Sequence, residues 1–217
     1  MDYLSVAQSA NIAVFVTASF LLGLLVFQSV RVSWKRLLLP GLLGQFLWSG
    51  GQFASYRIDL NPIVLLNLEV IRLALWLLSL FLLLAKRTPV ITWPAKSKII
   101  ALIGTATAVA GGAYVNASGS AAGPIRLFLM FMAIFALVFT EQVVRNLNTH
   151  RMIKLLGLCL SLLFVYDTFM YGQSAITLAI SATLTQGRTA LAFLVATSLT
   201  VGALIFNEKS DNQYIFS

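Results

Sequence analysis

Three ionisable side chains, Glu69, Arg72 and Asp167, lie inside long apolar runs, where a charge is costly unless it faces protein or water. Glu69 and Arg72 are three residues apart, so on a helix they share one face and can form an ion pair. If the two runs cross a bilayer in opposite directions, Glu69 lies about 10 Å, Arg72 about 15 Å and Asp167 about 6–10 Å below the outer edge. The spacing therefore predicts that the two carboxylates surround one arginine.

Other polar side chains are predicted to reach the same depth. Gln45, Trp48, Gln52 and Tyr56 follow helical spacing on one face, although ordinary helix packing is the simpler explanation of such a stripe. We predict a polar pocket that binds a small ligand or signal from the outer side, and the alternative is a structural salt-bridge network. The candidate residues are Gln52, Tyr56, Glu69, Arg72, Arg126, Tyr166, Asp167, Tyr171 and Arg188.

The residues needed for most catalytic and metal chemistry are absent from the sequence. Clustered ligands for a metal cannot come from one histidine and one cysteine, His150 and Cys159. Neither a phosphate-binding loop nor a nucleophile-elbow or zinc-protease motif occurs. We therefore expect no enzyme, no cofactor and no metal site in this chain.

The composition is that of an integral membrane protein. Of the 217 residues, 59% are hydrophobic and 10% are charged, whereas soluble domains average roughly 25% charged residues. Because a membrane helix needs about 20 mostly apolar residues, we predict an all-α bundle of seven transmembrane helices. The predicted spans are Asn11–Val30, Leu37–Tyr56, Pro62–Ala85, Lys98–Val115, Pro124–Thr140, Met152–Tyr171 and Thr189–Phe206.

The basic residues indicate how such a bundle would be oriented. The net charge is +8, and the Lys and Arg residues concentrate in the connections after the first, third and fifth predicted spans. Since cytoplasmic loops collect Lys and Arg, we predict an outside N-terminus and a cytoplasmic C-terminus in a bacterial inner membrane. The excess of positive charge is then a topology signal, and nucleic acid is not an expected partner.

The domain organisation is predicted to be simple. Residues 1–206 would form the transmembrane domain, and residues 207–217 a short cytoplasmic tail or linker. Gly172–Gly187 is rich in Ser and Thr, so we interpret it as an outer loop with an interfacial helix that is either surface-lying or re-entrant.

The second half of the chain resembles a known family. Glu141 to Asn146 reads E-Q-x-x-R-N, Leu163 to Tyr171 reads LFVYDTFMY, and Gln186-Gly187-Arg188 follows. Residues 124–217 thereby resemble the N-terminal membrane sensor region of the histidine kinases of the PEP-CTERM/exosortase system (PrsK type). The resemblance implies signal input, and it favours Tyr166 and Asp167 as the signal-receiving pair.

The resemblance also draws attention to Glu141, Arg145 and Asn146 at the end of the fifth predicted span. Glu141 and Arg145 are four residues apart and can pair, which would couple an outer event to the inner face; the alternative is a solvated helix end. The sequence contains neither a phospho-accepting histidine box nor ATP-binding glycine motifs, so the kinase core of that family is missing here.

Three hypotheses for function follow from the sequence. The first is a sensory input domain of a two-component histidine kinase. The second is a small secondary transporter or permease that uses the buried charges for coupling. The third is a structural membrane assembly subunit that packs through small residues such as Gly104, Ala108 and Gly112. The expected partners are the lipid bilayer and a small ligand, with a homodimer left open.

Overall fold

A computed structural model describes residues 35–55, 58, 61–87, 122–146, 151–177 and 182–205 of the chain. These residues form a short 3-10 helix, Lys35–Leu38, and five α-helices, the first of which directly follows the 3-10 helix. The helices are α1 (Leu39–Ser55), α2 (Pro62–Arg87), α3 (Ala122–Asn146), α4 (Arg151–Thr177) and α5 (Ala182–Ile205).

The start of α2 is fixed by its local sequence. Asn61 precedes the helix, and its side-chain Oδ1 accepts a hydrogen bond of 2.9 Å from the backbone N–H of Ile63. This is the N-cap interaction that asparagine favours, and Pro62 occupies the first helical position, where its missing N–H has no cost. The sequence therefore specifies the helix that presents Glu69 and Arg72.

The helices pack mainly as neighbours in the chain: α1 on α2, α2 on α3, α3 on α4 and α4 on α5. The larger of two apolar clusters lies between them, with its most buried members on α2, α3 and α4. They include Leu73, Trp76, Leu80, Leu129, Met132, Ala136, Leu160 and Phe164.

Large apolar side chains also cover the outside of the bundle. On α4, Leu158, Leu162, Val165 and Phe169 are all at least half exposed, and their spacing places them on one helix face. A stripe of this size facing outwards while charges lie inside is typical of a bundle surrounded by lipid. The described part of the chain is thus all-helical, and the protein is a membrane protein.

The prediction of a seven-span bundle is wrong. Within the described residues, three helices are long and apolar enough to cross a membrane: Ile63–Ala85, Pro124–Asn146 and Ile153–Thr177. The predicted outside position of the N-terminus required all seven runs to cross the membrane, so it is withdrawn with that count. The predicted spans Asn11–Val30 and Lys98–Val115, and the tail 207–217, lie outside the described residues.

Fewer helices qualify as membrane spans than predicted because apolar runs of similar length do not all form helices long and apolar enough to cross the bilayer. Helix α1 has 17 residues and is about 25 Å long, which is shorter than the hydrocarbon core of about 30 Å. Helix α5 begins at Ala182, and its first two turns carry Gln186 and Arg188. The interpretation of Gly172–Gly187 as an outer loop is also wrong in part, because α4 continues to Thr177 and α5 starts at Ala182.

A close approach between α1 and α2 depends on Gly41. A Cβ at this position would overlap the ring of Trp76, and the Gly41 N–H donates a 2.7 Å hydrogen bond to Ser79 Oγ. We expect Gly41→Ala to lower the free energy of unfolding by about 1–3 kcal/mol, as overpacking of a core does. Denaturant unfolding in detergent micelles measures the change.

Gly172→Ala is the matched control, because its added Cβ would only touch the flexible Met130 side chain. If both glycine variants unfold at the same denaturant concentration as the original protein, the tight α1–α2 contact is not needed for stability.

Candidate functional site

Four helices contribute side chains to one buried ionic network. Helix α2 supplies Glu69 and Arg72, α4 supplies Asp167 and Tyr171 one turn apart, and α5 supplies Arg188. Helix α1 adds Trp48. All six residues are buried, and Arg72 and Asp167 are completely inaccessible. We call these six residues the ionic network.

The predicted contact between Arg72 and Asp167 is present. Arg72 Nη2 donates a hydrogen bond of 2.5 Å to Asp167 Oδ2, and the same nitrogen lies 3.5 Å from Glu69 Oε2. The i, i+3 spacing on α2 and the opposite run of α4 therefore bring the three predicted charges together.

Glu69 is the most heavily bonded member of the network. Arg188 Nη1 and Nη2 donate to its two carboxylate oxygens at 2.5 Å each, which is the bidentate geometry that suits a guanidinium and a carboxylate. Trp48 Nε1 donates to Oε1 at 2.7 Å, and the Tyr171 hydroxyl donates to Oε2 at 2.8 Å. Each oxygen thus accepts two hydrogen bonds, and a carboxylate has about four acceptor positions.

Arg188 connects the two carboxylates. Besides its contacts with Glu69, its Nε lies 2.7 Å from Asp167 Oδ1 as an ion pair without hydrogen-bond alignment, and its Nη2 donates to the Tyr171 hydroxyl at 3.0 Å. Its guanidinium carbon is 4.7 Å from the centre of the Trp48 ring. Arg72 lies over the same ring at 5.2 Å, so Trp48 contacts both cations.

The network is electrically balanced, with two carboxylates and two guanidiniums. Inside a low-dielectric interior, each charge is tolerable only while its partners remain in place. The network therefore holds helices α1, α2, α4 and α5 in one relative arrangement, because separating its members would leave buried charges without partners.

A cavity of about 280 Å³ lies beside the network. Trp48, Glu69, Tyr171 and Arg188 form part of its wall, so any molecule that enters it touches the network directly. Two further predicted residues, Gln52 and Arg126, also line the cavity.

Tyr166 and Arg126 are predicted pocket residues that do not belong to the ionic network. Tyr166 is not in the ionic network: its hydroxyl donates a 3.0 Å hydrogen bond to the Leu184 carbonyl and links α4 to α5. Arg126 is half-buried, and its Nη1 donates to the Ser174 carbonyl at 3.0 Å. Tyr56 lies outside the described residues.

The three residues predicted to couple the two faces lie at the far end of α3. Arg145 Nη2 is 2.6 Å from Glu141 Oε1, and Asn146 Nδ2 donates to the Gln142 carbonyl. These contacts stay within α3, and the Arg145 and Glu141 side chains are 72% and 54% exposed. An exposed i, i+4 pair contributes only about 0.3–0.5 kcal/mol to stability, so the pair does not by itself tie α3 to α4.

Sequence reasoning placed Trp48 in a polar stripe without assigning it to the site. Its position could have identified it: Trp48 lies one turn from both Gln45 and Gln52 on the same helix face. Two glutamines on that face indicate that it packs against polar groups. Gln45 is buried, and neither its amide oxygen nor its nitrogen has a hydrogen-bond partner in the described part of the chain. Gln45, one turn from Trp48, is therefore a buried polar side chain whose hydrogen bonds are not satisfied by the described residues.

No group of three or more metal-ligating side chains occurs among the described residues. The site instead holds fixed charges and oriented donors next to a cavity, which suits binding. No protein-family model, no curated protein and no solved structure matches this chain.

Proposed function

We propose that the chain is a sensory input domain in a bacterial inner membrane, which detects a small ligand in the cavity and transmits a change in helix packing. The observation that carries the proposal is that the cavity and the ionic network share four residues, Trp48, Glu69, Tyr171 and Arg188. Occupation of the cavity can thus alter the contacts that hold α5.

A sensor needs two arrangements that the signal binds differently. Helix α5 packs mainly on α4, and Arg188 ties it to Glu69 of α2 and lies over Trp48 of α1. A ligand that competes for, or strengthens, these contacts would shift α5 relative to α1 and α2. The resemblance of residues 124–217 to PrsK-type sensor regions supports a histidine kinase core as the output that we propose.

The basic end of the bundle supports this direction of signalling. Arg145 and Lys154 lie where α3 ends and α4 begins, opposite the network. Because Lys and Arg collect on the cytoplasmic side, we propose that this end faces the cytoplasm and that the cavity is reached from the other side.

The uninterrupted course of the helices that carry the buried charges argues against the transporter hypothesis. Transporter sites are typically built from interrupted helices, whereas α2 and α4 run continuously through Glu69, Arg72 and Asp167. Our proposal therefore assigns the buried charges to helix positioning and signal reception.

A kinase fusion tests the proposal. We expect Leu65→Trp, which fills the cavity, and Asp167→Asn, which alters the network, to change autophosphorylation of a histidine kinase core fused after Ser217 by about 5-fold or more, the usual size of allosteric coupling. Leu162→Trp on the outward face of α4 is the matched control and should leave the fusion unchanged. Unaltered phosphorylation in both test variants, with the protein still folded, would contradict a sensory role.

A further inference from the structure

The walls of the cavity differ strongly in charge and polarity. Arg126 and Arg188 bring positive charge to the wall, while Leu65, Leu66, Leu129 and Met170 supply apolar surface. Its volume of about 280 Å³ is just below the range of about 300–1,000 Å³ that is usual for ligand sites. The cavity is therefore suited to a compact polar group joined to a short apolar segment.

The only carboxylate in the described wall has no room for a cationic ligand. Both oxygens of Glu69 already accept two hydrogen bonds each, from Arg188, Trp48 and Tyr171. Its charge is balanced by Arg188, just as Asp167 balances Arg72. A cation entering the cavity would find no free carboxylate oxygen among these groups.

Arg126 is the arginine of the described cavity wall that is not paired with a carboxylate. Its one hydrogen bond is from Nη1 to the Ser174 carbonyl, and no carboxylate lies within ion-pair distance of it among the described residues. A guanidinium carries five N–H donors, so most of those of Arg126 are available. Because the group is half-buried, an anion there would be screened less than at an open surface.

We propose that the cavity binds an anionic amphiphile, whose phosphate or carboxylate head is held by Arg126 beside Arg188 and whose alkyl chain lies on Leu65, Leu66, Leu129 and Met170. This inference rests on the proposed function, since it names the ligand class of the same cavity. The head group can belong to a membrane lipid or to a soluble alkyl phosphate, because both present the same chemistry.

Binding of decyl phosphate to the full chain in a non-ionic detergent, counted by native mass spectrometry, tests the inference. We expect one molecule per chain, with affinity reduced at least tenfold by Arg126→Gln and much less by Arg126→Lys, which keeps the charge. Lys154→Gln, which removes an exposed cation at the opposite end of the bundle, is the matched control and should change the affinity less than threefold. Leu66→Trp should also abolish binding by filling the apolar half.

Two further measurements separate the sources and the parts of the ligand. Inorganic phosphate should bind at least tenfold more weakly than decyl phosphate, because it lacks the chain. A higher melting temperature in phosphatidylglycerol nanodiscs than in phosphatidylcholine nanodiscs, lost in Arg126→Gln, identifies a membrane lipid; no difference, with decyl phosphate still bound, identifies a soluble amphiphile.

Equal affinity for inorganic and decyl phosphate, or unchanged affinity in a folded Arg126→Gln protein, overturns the inference. These assays contain no kinase, whereas the fusion assay contains no added amphiphile. Lost binding with a responsive fusion therefore rejects the ligand class alone, and an unresponsive fusion rejects the sensory role.

Discussion

Asp167→Leu is expected to lower the free energy of unfolding by about 3–5 kcal/mol, the usual cost of removing one partner from a buried ion pair. The side chain is completely buried, and it contacts Arg72 at 2.5 Å and Arg188 at 2.7 Å. Without it, Glu69, 3.5 Å away, is the carboxylate that remains next to Arg72, and the network carries an uncompensated positive charge. Reversible unfolding in mixed micelles, followed by circular dichroism, measures the loss.

A second substitution distinguishes charge balance from packing. Arg72→Met removes the charge that Asp167→Leu leaves behind, so the double variant should recover at least half of the lost stability, because a buried pair replaced by apolar groups is often nearly neutral. Phe169→Leu, on the outward face of α4, controls for substitution near the site. Additive losses in the double variant would mean that the two side chains do not depend on one another.

Much of the site could be predicted because the cost of burying charge is visible in the sequence. Glu69, Arg72 and Asp167 interrupt apolar runs, and the helix geometry that puts residues 69 and 72 on one face also gives their depth. Five of the seven predicted spans correspond to described helices, since apolar length predicts a helix well. Length does not reveal whether that helix crosses the bilayer, which is why the number of spans was wrong.

The roles of Arg188 and Trp48 could not be obtained in this way. The last predicted span begins at Thr189, and the Ser- and Thr-rich segment Gly172–Gly187 before it is interpreted as a loop, so the sequence leaves Arg188 outside the predicted helices. The helix actually starts at Ala182, so Arg188 lies two turns inside it and points at Glu69. A tryptophan in such a helical stripe is most often a packing residue, and only the tertiary structure shows its Nε1 bonded to a carboxylate.

Arg188→Lys is expected to destabilise the protein by about 2–4 kcal/mol even though it keeps the charge. Arg188 makes three hydrogen bonds with Glu69 and Tyr171, and a lysine ammonium cannot reproduce a planar fork. Losing one or two charge-assisted hydrogen bonds costs about 1.5–3 kcal/mol each. Arg188→Met should be at least as destabilising, because Glu69 is then left without its principal counter-charge.

The helix in which Arg188→Lys accelerates amide hydrogen exchange shows which part of the bundle Arg188 stabilises. Because α5 packs mainly on α4 and reaches Glu69 of α2 through Arg188, amide hydrogen exchange should accelerate in α5 by tenfold or more in Arg188→Lys while α3 stays protected. Arg145→Lys replaces the guanidinium of an exposed ion pair and should change neither stability nor exchange. Exchange that rises equally in every helix would show that Arg188 stabilises the whole bundle and does not selectively hold α5, which would remove the mobile element that a sensor of this design requires.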